Sequence, residues 1–146
     1  MALTKASIEN VIFAITLSEV PRVTRLVRSL VLTLREQPFV EAATAAGTGI
    51  PRTLVRHILP NTVAPLLVQA TYICASAILT EAGLSFLGAG TPPEFPTWGN
   101  MIASSQLYFR SAAWMMLFPG VFIALAVLSL QIVGDGLRDG LDPILR

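Results

Sequence analysis

The stretch that most constrains this chain is WMMLFPGVFIALAVLSLQIV, Trp114 to Val133, which holds no charged residue. About 20 apolar residues wound as a helix match the ~30 Å hydrocarbon layer of a bilayer. Pro119 and Gly120 fall in its first turns, where proline does least damage. Gly134-Asp135-Gly136 is expected to end it. Composition agrees, because 53% of the 146 residues are hydrophobic and only 13% are charged, with mean hydropathy +0.67. Soluble domains carry about 25% charged residues, and a chain this short has little interior in which to hide the surplus. Lipid is therefore expected to be part of its solvent.

Two further segments read as spans. Thr62 to Leu79 contains Pro65, Gln69, Thr71 and Ser76, which a membrane helix tolerates when neighbouring helices satisfy the backbone. Its small residues Ala70, Ala75, Ser76 and Ala77 suit close helix packing. Ile8 to Leu34 is apolar but punctuated by Glu19, Arg22, Arg25 and Arg28. A long helix whose inner end emerges among headgroups, with the arginines snorkelling, accounts for this pattern, and a surface amphipathic helix is the alternative. The basic residues set orientation. Arg22, Arg25, Arg28, Arg35, Arg52 and Arg56 precede the second span, Arg110 lies between the second and third, and Arg138 and Arg146 follow. Residues 36–61 and the tail 135–146 are thus expected to be cytoplasmic, and residues 84–112 external. The extreme N-terminus then lies outside, which predicts that a preceding portion is missing.

Other functions are poorly supported. Net charge is +1, with no basic run interleaved with aromatics, so nucleic acid is not an expected partner. Residues 1–20 lack a signal-peptide pattern, since Glu9 and Asn10 interrupt the apolar run. Cys74 reads as a small buried side chain. His57 is the single histidine, so a metal cluster lacks partners, and a hydrogen-bonded interfacial histidine is the simpler reading. Asp135, Arg138, Asp139 and Asp142 read as a solvated tail. There are no catalytic, metal-ligating or cofactor-binding residues to nominate, and no phosphate-cradling glycine loop.

The stretch between the first two spans has a shape dictated by local chemistry. Pro38 can start a helix, Val40–Ala46 is rich in helix formers, and Gly47 is a natural C-terminal cap. Pro51 restarts a second helix, which Pro60 is expected to break. Between the second and third spans, Pro92, Pro93 and Pro96 with Gly88, Gly90 and Gly99 exclude a continuous helix. Trp98 and Trp114 suit a membrane–water interface, and a short helix from Asn100 to Tyr108, capped by Asn100, is expected.

Glu41-Ala42-Ala43, Gly47 and Leu59-Pro60 resemble the E-A-A…G…I-x-L-P signature of permease subunits of bacterial ATP-binding-cassette importers. His57 stands where that signature has isoleucine, yet Arg-His-Ile-Leu-Pro-Asn is common in the peptide-importer branch. ILTEAGLSFLGAG (Ile78–Gly90), Pro96–Asn100, Phe118–Gly120, Gly134–Arg146 and LVRSLVLTLRE extend the resemblance to the dipeptide/oligopeptide branch. It implies a partial type I importer permease fold: an all-α membrane protein with about three transmembrane helices (8–34, 62–81, 113–134), a cytoplasmic coupling-helix pair and a short external helix.

The resemblance further implies that Glu41, Ala42, Ala43, Gly47, Arg52, Arg56, His57, Leu59 and Pro60 dock the ATPase. Implied partners are ATP-binding-cassette ATPase subunits, a second permease subunit, an external solute-binding protein and the lipid bilayer. ATP chemistry would lie on another chain, with no cofactor on this one, and the implied location is the inner or plasma membrane. Some assignments stay open. Glu41 is either a contact to the ATPase or a carboxylate favourable at a helix start. Arg52 and Arg56 either pair with the partner or touch headgroups. Glu81 either lines the pathway or a subunit interface, or is an interfacial carboxylate reaching water. Gln69 and Gln131 either face the pathway or bond between helices. The implied substrates are di- or oligopeptides, though relatives also handle nickel and glutathione. The competing functional class is a membrane-embedded scaffold without transport of its own.

Overall fold

The computed structural model describes residues 8–141. Among these, six α-helices follow one another: α1 (Ile8–Arg35), α2 (Pro38–Ala45), α3 (Ile50–Thr53), α4 (Leu59–Phe86), α5 (Trp98–Ser105) and α6 (Trp114–Leu141). A π-helical turn, Leu54–Ile58, joins α3 to α4, and a 3₁₀ turn, Gln106–Tyr108, follows α5. The helices α4 and α6 form the central antiparallel pair. Helix α5 packs on both, and α1 lies along α4.

Two helices are long and apolar enough to cross a bilayer, the continuous run Ile50–Phe86 and Trp114–Gly140. Helix α1 is 28 residues long but carries Glu9, Glu19 and four arginines, so composition does not mark it as a third. The 37 residues of the Ile50–Phe86 run extend about 55 Å, longer than a ~30 Å hydrocarbon layer.

Pro60 does not break the helix that Pro51 restarts, contrary to expectation, and that helix runs on into the second span. Pro60 lies in the first turn of α4, where a missing N–H matters least, and the preceding turn has widened to π geometry. Leu59 N donates to the Leu54 carbonyl, and Asn61 Nδ2 donates to the His57 carbonyl at 2.7 Å. Gly134-Asp135-Gly136 does not end α6 either, which continues to Leu141. Gly134 is an approach point instead: a Cβ there would collide with the Thr71 side chain, 3.3 Å from its Cβ. This contact fixes the register of α6 against α4. The expected cytoplasmic tail is thus helical to Leu141, and residues 142–146, including Asp142, lie outside the described residues.

Cys74 is exposed rather than buried. The interior is small, because a chain of a few long helices has few inward positions. Val11, Val40, Ile58, Ala75 and Ile123 are its buried apolar residues, and small side chains such as Ala75 let α4 approach its neighbours.

Candidate functional site

The loop between α1 and α4 is built by two glycine-centred choices. Pro38 occupies the first turn of α2, after Gln37 in extended conformation. At the far end Gly47 has φ +80°. Gly47 N donates to the Thr44 carbonyl at 2.9 Å and Thr48 N to the Ala43 carbonyl at 3.1 Å. These two bonds form a Schellman cap, which requires the left-handed conformation at Gly47. Gly49 is extended and Pro51 opens α3, so the elbow between α2 and α3 is fixed at both sides. Val40, Thr53 and Ile58 turn inward and are buried, anchoring the loop.

The remaining side chains face outward. Glu41, Ala42, Gly47, Arg52, Arg56, Leu59 and Pro60 are exposed, while Ala43 and His57 are half-buried. Among the described residues, Arg52 and Arg56 have no ion-pair partner and the His57 side chain has no hydrogen bond. The exposed set includes residues that sequence reasoning did not nominate: Ile50 (85% exposed), Val55, Leu54 and Phe39. Their signal was available, as apolar residues in short helices flanked by glycine and arginine. The loop thus presents exposed apolar side chains alongside the exposed Arg52 and Arg56.

The second constellation lies at the opposite end of α4. Glu81 Oε1 accepts from Ser85 Oγ at 2.7 Å and from Thr91 Oγ1 at 2.9 Å. Thr91 N donates to Ser85 Oγ at 3.2 Å. The Asn100 amide nitrogen donates to the carbonyls of Pro92 and Phe95 at 3.0 Å and of Thr91 at 3.3 Å. Thr97, not Asn100, caps α5, its hydroxyl accepting from Asn100 N at 3.1 Å. The cap falls there because Thr97 is extended after Pro96, while the Asn100 side chain is committed to the irregular backbone before it.

The reason for so much polar capacity is depth. Trp98 stacks on Phe122 with ring centroids 6.4 Å apart and planes 11° from parallel. Phe122 lies eight residues, about 12 Å, along α6 from Trp114. Residues 88–105 thus fold back beside α6 instead of standing beyond it. Irregular backbone at that depth persists only when protein groups satisfy it, which Ser85, Thr91 and Asn100 do. Gly90 and Gly99 permit the approach. A Cβ on Gly99 would sit 2.8 Å from both Ala82 Cα and Ser85 Cβ. Glu81 is therefore placed as the anchor of this returning segment. Gln69 lines a cavity on the other half of α4, and Gln131 is exposed on α6.

A third contact ties α1 to α4. The Arg22 guanidinium lies 5.4 Å from the Tyr72 ring centroid and 3.5 Å from Glu19 Oε1. The other oxygen of Glu19 is buried without a partner among the described residues. No group of three or more metal-ligating side chains occurs among the described residues.

A bundle with two helices long and apolar enough to cross a bilayer has the build of a membrane component. The sequence of the chain matches, over residues 2–146, the family described as binding-protein-dependent transport system inner membrane component, and the chain belongs to that family. It is 53% identical over 143 residues to a probable peptide ABC transporter permease protein of Sinorhizobium fredii, covering 98% of this chain and 49% of that protein. It is 46% identical to the dipeptide transport system permease protein DppC of Alkalihalophilus pseudofirmus, over 100% of this chain and 48% of the relative. A putative peptide transport system permease protein of Brucella suis is 50% identical over 95% of this chain and 47% of its own length. The chain spans about half the length of the curated relatives it matches.

Proposed function

We propose that this chain acts as part of the permease of a peptide importer, with the 36–61 loop as the element that receives force from an ATPase. The observation that carries the reading is the loop itself. Its elbow is held by the Gly47 cap, it is anchored by Val40, Thr53 and Ile58, and it presents Ile50, Leu54 and Val55 outward. An apolar patch on a rigid support transmits displacement instead of absorbing it. Because α3 runs without a break into α4, a push on the loop reaches the transmembrane pair directly. Two discrete packings of the helices would convert that push into inward and outward access. The loop and the end of α6 would face the cytoplasm, following the clustering of arginines there. The names of the relatives favour di- or oligopeptides, delivered by an external solute-binding protein, with a second permease subunit completing the pathway.

Reconstitution into liposomes with the partner permease, ATPases and binding protein tests this. Peptide-stimulated ATP hydrolysis and uptake that both vanish when this chain is omitted are the expected results. Equal uptake without the chain would sink the proposal. The exposed loop by itself is equally compatible with one other reading, a scaffold that binds the ATPase but moves no substrate. Association with the ATPase in the absence of any uptake would select it.

A further inference from the structure

We propose that a cavity of about 710 Å³ between α1, α4 and α6 binds the headgroup of an anionic phospholipid, with Arg138 as the phosphate-binding residue. Leu26 of α1, Asn61, Val63, Pro65 and Gln69 of α4, and Arg138 of α6 are among its walls. The proposal requires that α6 crosses a bilayer, and it is independent of whether the chain transports anything.

Depth comes first. From Trp114 the uncharged run to Val133 covers about 30 Å, the full hydrocarbon layer. Arg138 lies just over one turn further, at the level of headgroups. The Gly134–Thr71 contact sets the antiparallel register, so Gln69 and Val68 lie at this same level. The Arg22–Tyr72 contact brings α1 to it as well. The cavity therefore opens where lipid phosphates reside.

Charge comes second. The Arg138 side chain has no ion pair and no hydrogen bond among the described residues. Asp135 and Asp139 stand on the same helix, and neither comes within 4.0 Å of it. A guanidinium presents paired donors that fit a phosphate bidentately, and phosphate is the anion that lipid headgroups supply at this depth. Composition of the walls comes third. Gln69 offers further donors beside Arg138, while Leu26, Val63 and Pro65 provide an apolar strip for the first methylenes of an acyl chain. A soluble anion would gain nothing from that strip, so a lipid is the occupant that uses the whole cavity.

The test uses the full chain in nanodiscs of phosphatidylethanolamine alone or mixed with phosphatidylglycerol, with co-purifying lipid quantified by native mass spectrometry. Phosphatidylglycerol should be retained about fivefold over its bulk proportion, the increment expected of one interfacial arginine. Arg138→Gln should erase the preference, Arg138→Lys should keep most of it, and Arg110→Gln, at the other end of the bundle, should leave it intact. Retention proportional to bulk composition overturns the proposal, as does an unchanged preference in Arg138→Gln. Full displacement by inorganic phosphate would show a soluble-anion site and would equally overturn it. Loss of preference in Arg138→Gln together with conversion of a dimer to a monomer would assign the cavity to a second copy instead.

Discussion

The hydroxyl of Thr91 donates to Glu81 across ten residues, at 2.9 Å, and thereby pins the returning segment to the end of α4. Ser85 donates to the same oxygen from one turn away, so one carboxylate organises both a helix end and the chain beyond it. Replacing Glu81 by leucine should cost about 2–3 kcal/mol, the range for charge-assisted bonds with partners left unsatisfied. Glu81→Gln retains an acceptor oxygen and should lose roughly half as much. Denaturant titration in detergent micelles, followed by Trp98 fluorescence, measures both.

Gly99 and Gly83 make a matched pair. A Cβ at Gly99 meets the backbone of Ala82 and the side chain of Ser85, whereas one at Gly83 meets nothing within 4 Å. Gly99→Ala should destabilise by about 1–3 kcal/mol through overpacking against a helix that cannot yield. Gly83→Ala should be neutral or stabilising by about 0.5–1 kcal/mol, since it only improves helix propensity. The same titration distinguishes the two, and equal effects would refute the close-approach account of α5.

Gly47 carries the elbow through its conformation, not through space, because a Cβ there also meets nothing within 4 Å. Gly47→Val must hold φ near +80° at a cost of about 1–2 kcal/mol or abandon the cap. Membrane insertion should be unaffected. In the reconstituted importer, ATP hydrolysis should continue while uptake falls at least about tenfold, as the position of α3 is no longer fixed. Normal uptake by this variant would remove the lever role from this position.

The Arg22–Tyr72 contact joins the helix before the loop to the helix after it. A double-mutant cycle with Arg22→Gln and Tyr72→Leu should return a coupling of about 0.5–1 kcal/mol, typical of a partly exposed cation–π pair. A coupling indistinguishable from zero would mean that apolar packing alone aligns α1 with α4.

Much of the architecture was legible because membrane helices advertise themselves. The uncharged run from Trp114 and the apolar stretch after Thr62 announce helices through composition alone, and Pro38 and Gly47 announce the ends of α2 through backbone chemistry. Helix ends set by neighbours were not legible. Pro60 and Gly134 look like terminators, but one is absorbed by a π turn and the other by the side of Thr71. The same holds for Asn100, read as a cap and found bonding three carbonyls, and for Cys74, read as buried and found exposed.

The sequence by itself determined that this is an all-α membrane chain with a stiff loop near its arginine-rich end, because periodicity, hydropathy and glycine positions act locally. Only the tertiary structure decided what Glu81 and Arg138 face. Glu81 is held by hydroxyls brought from four and ten residues away, and Arg138 lines a cavity whose walls come from three helices. Both depend on the register of α4 against α6. That register is set by steric fit at contacts such as Gly134 on Thr71, a property of two surfaces together and of neither segment alone.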